Sequence, residues 1–203
     1  MKRDTGAPSM WERTRQLAGE EIVDTAVRLF TTQGYEETTI AQIAREAGVS
    51  QRTLFRYFGT KEDLVCGDQD ALGALLKRTV DAQPADTSAW QALRAGFTTL
   101  LTANHSLDRT LTLSTLIFRT PSLHASYVQK RLRWQHDLTP SIRARLVTAG
   151  RDDAAADREA RAVIAVTFAC ADAATATWID GGGADDIAAL FDEAVAVART
   201  ADG

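Results

Sequence analysis

The sequence predicts an all-α protein. Apolar residues recur with a helical period from Glu12 to Thr200, and no Val/Ile/Thr/Tyr alternation bounded by Asn-Gly or Asp-Gly turns is present. Glycines and Ser, Thr or Asp residues at helix-start positions cut that periodic stretch into about nine helices. Ile22, Val23, Ala26, Val27 and Phe30 put one apolar stripe on a first helix that should stop near Gly34. Thr39 and Gln42 form a capping box, in which both side chains would satisfy amides at a helix start, and Ile40, Ile43, Ala44 and Ala47 give that second helix an inner face ending at Gly48. Ser50 caps a third helix, Gln51 to Phe58, with Leu54 and Phe58 turned inward. After Gly59, Thr60 and Asp63 cap a fourth helix, expected to run from Lys61 to Asp81 through Leu64, Val65, Leu72, Leu75, Leu76 and Val80. The loop Gln83 to Ser88 follows, then helices over Ser88 to Ala103, Asp108 to Phe118, Ser122 to Ala149 with Pro140 as a candidate bend, Ala154 to Ile179 and Asp185 to Arg199.

Composition bounds what such a protein can be. The 203 residues, 45% hydrophobic and 25% charged, can build a sizeable core. The longest apolar runs, such as Ala162 to Ala171, fall short of the ~20 residues of a bilayer crossing, so no membrane span is expected. The polar Trp11-Glu-Arg-Thr-Arg-Gln after the basic N-terminus is unlike a secretory signal, and a cytoplasmic location is the expectation. Cys66 and Cys170 lie too far apart in the chain for a zinc knuckle and should be free thiols. Net charge is -4, yet Arg45, Arg52, Arg56 and Lys61 against Glu46 make residues 45–61 locally +3. Residues 119–145 reach +5, with Arg119, Lys130, Arg131, Arg133, Arg143 and Arg145 against Asp137. That second basic segment reads as a solvated face, or as a partner for the acidic residues of 180–193.

The first three helices, with Gly48 in the turn between the second and third, have the layout of a helix-turn-helix, whose third helix enters a DNA major groove. Gly48 takes the positive φ the turn needs, and Val49 plugs the space between the short helices. Gln51 and Arg52 are of the types that read base edges, Tyr57 reaches phosphates, and Lys61 adds a phosphate contact at the next helix start.

These residues also carry a resemblance. Ile22-Val-Asp-Thr-Ala-Val-Arg-Leu-Phe-Thr-Thr-Gln-Gly-Tyr35 and Thr38-Thr-Ile-Ala-Gln-Ile-Ala-Arg-Glu-Ala-Gly-Val-Ser-Gln-Arg-Thr-Leu-Phe-Arg-Tyr-Phe-Gly-Thr-Lys-Glu-Asp-Leu64 resemble the DNA-binding domain of the TetR family of bacterial repressors. The resemblance implies an arm over residues 1–11, a DNA-binding domain over 12–60 and a ligand-binding and dimerisation domain over 61–203. It further implies a homodimer through the last two long helices, a palindromic double-stranded DNA operator and a small-molecule effector of unknown identity, with no cofactor. By position, Thr39, Ser50, Gln51, Arg52, Thr53, Tyr57 and Lys61 would touch DNA. Phe55 stands where the family often has Tyr, exchanging a phosphate contact for a thymine-methyl one. Phe118-Arg-Thr-Pro-Ser-Leu-His124 and Lys130-Arg-Leu-Arg-Trp-Gln135 resemble a C-terminal type of actinobacterial regulators, some of which answer to acyl-CoA thioesters.

An apolar tunnel for an acyl chain would be lined by Phe97, Leu101, Leu116, Phe118, Trp134, Phe168 and Trp178, with Arg131 and Arg133 near its phosphates. The same aromatic spacing is also that of plain core. His105, His124 and His136 lack metal-ligand spacing, so no metal site is expected. The Ala-rich run Ala169 to Ala176 suits a close helix seam, between subunits or within one. Two alternatives remain at this stage: an enzyme using the C-terminal cavity, though no Gly-x-Ser-x-Gly elbow or His/Cys dyad stands out, and a DNA binder without effector.

Overall fold

The computed structural model describes the backbone of residues 10–67, 69–102 and 107–200; most of the expected arm, positions 1–9, lies outside the described residues, as do Ala103 and His105. Ten helices and no strand occur among the described residues. They are α1 (Met10–Gln33), α2 (Ile40–Glu46), α3 (Gln51–Tyr57), α4 (Asp63–Cys66), α5 (Gln69–Asp81), α6 (Ala89–Thr102), α7 (Leu107–Arg119), α8 (Pro121–Thr148), α9 (Asp153–Asp180) and α10 (Ile187–Thr200). The chain forms two compact units, which part between Gly67 and Asp68.

In the first unit, Ile22, Ala26, Leu29 and Phe30 of α1 pack with Ile43 and Ala44 of α2, Leu54 of α3 and Leu64, Val65 and Cys66 of α4, all buried. Ile40 and Phe58, expected in this core, are half-buried at its margin. The fourth helix differs from the sequence expectation. Rather than one rod from Lys61 to Asp81, it is two helices, because Gly67 takes φ +66° and ψ −166° and ends α4 after one turn. Three consecutive buried residues explain why α4 stays with the first unit: Leu64, Val65 and Cys66 are each at most 4% exposed. The expected boundary at residue 60 therefore falls seven residues early against the observed division at 67. Thr60 and Asp63 still cap reciprocally, Asp63 N–H donating to Thr60 Oγ1 at 3.2 Å and Thr60 N–H to Asp63 Oδ2 at 2.9 Å.

The second unit is built on the long pair α8 and α9. Trp134, Leu138, Ile142 and Leu146 of α8 meet Val163, Ile164 and Phe168 of α9, joined by Leu76 and Val80 of α5, Leu93 and Phe97 of α6 and Phe191 of α10. Pro121 opens α8 at a position that needs no amide donor, and the helix continues through Pro140. Asp152 caps α9 by accepting from Ala155 N–H at 2.8 Å. Arg145 of α8 closes the opposite end of α5. Its guanidinium donates to the carbonyl oxygens of Val80 (2.7 Å), Gln83 (2.8 Å) and Pro84 (2.5 Å), gathering the last turn and the loop beyond.

By length and composition alone α9 is long and apolar enough to cross a bilayer, a test that a buried core helix also passes. Its buried residues nevertheless form a core stripe within this unit, and Asp172, in the C-terminal half of the helix, has a partner on α8. A carboxylate with a guanidinium partner and a stripe packed on neighbouring helices describe a core helix. Cys66 and Cys170 are buried as thiols, and burial pushes the Cys170 thiol up.

Candidate nucleic-acid interface and ligand cluster

The turn between α2 and α3 is fixed by backbone hydrogen bonds of a Schellman motif. Gly48 N–H donates to Arg45 O at 3.2 Å and Val49 N–H to Ala44 O at 2.9 Å, with Gly48 at φ +67°. α2 begins at Thr39, whose hydroxyl accepts from Gln42 N–H at 3.2 Å. The other half of the expected capping box is used differently: Gln42 Nε2 donates to Gln33 Oε1 at 2.8 Å and ties α2 to the end of α1. Arg28 of α1 grips Glu46 at the far end of α2 at 2.6 Å, and the bond from that guanidinium holds the Glu46 carboxyl below the usual range. Glu46 was the acid counted against the basic residues of this segment, and it is engaged with Arg28.

α3 turns Leu54 inward, fully buried, and leaves Gln51, Arg52, Phe55 and Arg56 exposed, with Phe55 at 49%. Four such residues at i, i+1, i+4 and i+5 share one helix face. Ser50 Oγ accepts from Thr53 N–H at 3.0 Å and lies 2.9 Å from Thr53 Oγ1, so both hydroxyls frame the helix start. Tyr57 is half-buried, and the Arg56 guanidinium lies 5.6 Å from its ring centroid. Arg56 was absent from the contacts expected by position, although its charge had marked the segment.

Lys61 departs from expectation. Its ammonium donates to the Tyr35 carbonyl oxygen and stands over the Tyr35 ring at 4.0 Å and the Phe30 ring at 5.7 Å from the centroids. Burial lowers the pKa of this amine, against the pull of Glu36, Glu62 and Glu37. Tyr35 O–H donates to Glu62 Oε1 at 2.9 Å, and burial first, then that carboxylate, push the phenol well above its ordinary range. Lys61 is thus half-buried and gives one of its three donors to Tyr35.

In the second unit three of the residues expected to line a tunnel, Phe97, Trp134 and Phe168, belong to the core cluster. Phe97 meets Phe168 edge-on at 4.9 Å and stacks on Phe191 at 5.5 Å. Trp134 lies against the α5 backbone at Gly73, where an added Cβ would overlap its indole. Trp178 is 1% exposed, with its indole N–H buried and unpaired, while Leu101, Leu116 and Phe118 are half-buried. Of the seven, Phe118 lines a small surface cleft of about 140 Å³, together with Arg119, Ala176, Ile179 and Asp180. That is below the ~300 Å³ at which ligand pockets begin, so the described residues leave this cleft too small for a long acyl chain.

Ring contacts of Phe118 with His124 and Tyr127 lead from the cleft to a buried group within the basic segment 119–145. Arg131 is 4% exposed and donates through Nη1 to Asp172 and through Nη2 to Phe168 O at 2.7 Å. Its guanidinium stacks over Phe168 at 4.7 Å and Tyr127 at 5.0 Å. Burial pushes the Asp172 carboxyl up, opposed by Arg131 and by His124. His124 stacks on Phe118 at 5.3 Å and faces Tyr127 at 6.4 Å. A signal for this group was present: 124, 127 and 131 recur at i, i+3 and i+7, in step with the apolar Leu123, Trp134 and Leu138 of α8. Arg133, by contrast, is exposed, with Asp70 at 4.0 Å, and His136 is exposed. No group of three metal-ligating side chains gathers among the described residues.

Residues 22–66 match the family model described as bacterial regulatory proteins, tetR family. The HTH-type transcriptional regulator TcmR of Streptomyces glaucescens is 28% identical over 145 residues, covering 68% of this chain and 64% of its own length, just under two thirds. A fatty acid degradation regulator FadR from Bacillus halodurans shares the fold at TM-score 0.59 and 20% identity, over 89% of this chain and 93% of that one. FadR from Bacillus subtilis, solved in complex with stearoyl-CoA, does so at TM-score 0.57 and 21% identity, over 88% and 96%.

Proposed function

We infer that this chain, whose residues 22–66 match the model of the tetR family of bacterial regulatory proteins, is a sequence-specific transcriptional regulator released from its operator by a small effector. The observation that carries the reading is the exposed face of α3, Gln51, Arg52, Phe55 and Arg56, held out by a glycine turn on a unit that matches this family. Gln51 and Arg52 read base edges in the major groove, and Phe55 packs on a thymine methyl. Thr39, Ser50, Thr53 and Tyr57 meet the phosphate backbone, with Arg56 added to them. Lys61 acts from behind, bracing Tyr35.

Two copies pair through α9 and α10 and present their α3 helices to the two halves of a palindrome. The support for this surface is an open stripe of small and apolar residues, Ala162, Ala165, Val166, Ala169 and Ala173 on α9, with Val197, 67% exposed, on α10. The α8–α9 side of the second unit receives the effector. Likeness to FadR of Bacillus subtilis makes acyl-CoA thioesters a class to try first, and the tight packing around Phe97 and Phe168 means that a long chain would have to open the core.

Fluorescence anisotropy of labelled duplexes tiled across the upstream region of the gene, at two salt concentrations, tests the reading. Saturable, competitor-resistant binding to one tile is expected. Arg52→Ala should cost about 1–3 kcal/mol and relax discrimination at particular base pairs, whereas Lys61→Ala should lower stability and leave the salt slope unchanged. Weak, salt-erased binding to every tile, or indifference to Arg52, sinks the assignment of α3.

A further inference from the structure

A guanidinium that is 4% exposed is costly to bury unless something charged is meant to meet it. Arg131 meets Asp172, a carboxylate whose side chain is 36% exposed and whose charge burial disfavours. Asp172 and Ala176 are one turn apart on α9, Ala176 lines the cleft, and Phe118 on the opposite wall continues into the rings of His124 and Tyr127 that lead to Arg131. The wall that carries Phe118 is itself lightly held, for α7 has no buried residue along its length. At the mouth, Arg119 and Asp180 form an exposed ion pair at 2.5 Å.

We propose that Arg131 is the anchor of a site for a small apolar carboxylate, which enters by the Phe118–Ile179 cleft and exchanges with Asp172 on the guanidinium. This rests on the effector-responsive reading and gives its effector a chemical class. The exchange is like for like. An incoming carboxylate presents two oxygens to the guanidinium fork, and Asp172, already partly exposed, turns outward. The body of the ligand lies between the Phe118 and His124 rings and the Ala176 and Ile179 side chains. A thioester of the same acid has no carboxylate at that end and forfeits the exchange.

The test is calorimetric titration of the full chain, without DNA, with phenylacetate and hexanoate, their neutral amides, and phenylacetyl-CoA. The acids should bind about tenfold or more tighter than their amides. Asp172→Asn, which keeps the shape and removes the competing carboxylate, should tighten the acids several-fold and leave the amides unchanged; a purely structural pair would give no such gain. Arg131→Gln should abolish acid binding, and if that variant fails to fold, the Asp172→Asn comparison decides. Amides that bind as well as acids, no gain with Asp172→Asn, or a thioester that outbinds the acid would each overturn the proposal. Adding the operator duplex separates the two readings. Acids that bind but leave DNA affinity unchanged refute effector control and keep the site, whereas intact DNA binding with no acid binding refutes the site alone.

Discussion

Lys61, Tyr35 and Glu62 show how a side chain fit for one task is also recruited to another. An ammonium at a helix start is well suited to a phosphate, yet here the Tyr35 carbonyl and ring take it, and Glu62 accepts from the same tyrosine's hydroxyl. The raised phenol has a measurable consequence. Its folded pKa lies above the unfolded value of about 10, so its contribution is fully present below that pH and is lost as pH rises further. Tyr35→Phe should cost about 1 kcal/mol at pH 7 and shrink the loss of stability between about pH 10 and 11, both read by denaturant midpoints. Such inversions are hard to read from sequence because they depend on partners 26 and 27 residues away in the chain. Gln51, Arg52 and Phe55 were legible because helical spacing places them opposite the buried Leu54. Arg131 was not, since a basic residue in a basic segment looks solvated until its step with Leu123, Trp134 and Leu138 is weighed.

At the scale of elements, capping chemistry set most helix starts within a residue or so of expectation, as at Thr39, Ser50 and Asp152. The miss was Gly67. The run from Leu64 through Leu72 to Val80 has a continuous helical period, and a lone glycine within it reads as a tolerated cost rather than a stop. What overrides the pattern is burial of Leu64, Val65 and Cys66 against the first unit. Gly67→Ala should destabilise by about 1–3 kcal/mol, because φ +66° with ψ −166° is a region that side-chain-bearing residues avoid, even though an added Cβ would meet nothing within 4 Å. Gly48→Ala, in ordinary left-handed geometry, should cost less, about 1–2 kcal/mol. Thermal unfolding of the two variants orders them, and equal costs would mean that the Gly67 backbone relaxes.

For the whole molecule, the decisive quantity is self-association. A stripe of Ala162, Ala165, Val166, Ala169 and Ala173 permits close helix approach, and a large cation in its centre should oppose it. Val166→Arg is expected to shift sedimentation from dimer to monomer at micromolar concentration and to weaken operator binding, with the helical circular dichroism signal intact. A monomer in the unmodified chain, or a dimer indifferent to this change, removes α9 from the interface. The Ala-rich run was only half readable: Ala169 and Ala173 face outward while Cys170 and Ala174 enter the core, and spacing alone does not say which edge of a helix meets a partner.

The guanidinium of Arg145 has one further bearing. Connecting segments are ordinarily where chains accept nicks and insertions, but the one from Ala82 to Ser88 has the carbonyls of Gln83 and Pro84 pinned from α8. It should therefore behave as masonry: limited digestion with Asp-N, which cuts before aspartate, will spare the loop at Asp86 in the native protein. Arg145→Gln, which keeps a donor but loses the fork, should expose the bond before Asp86 to early cleavage. If the variant is cut no faster, those carbonyls find other partners and the segment holds itself.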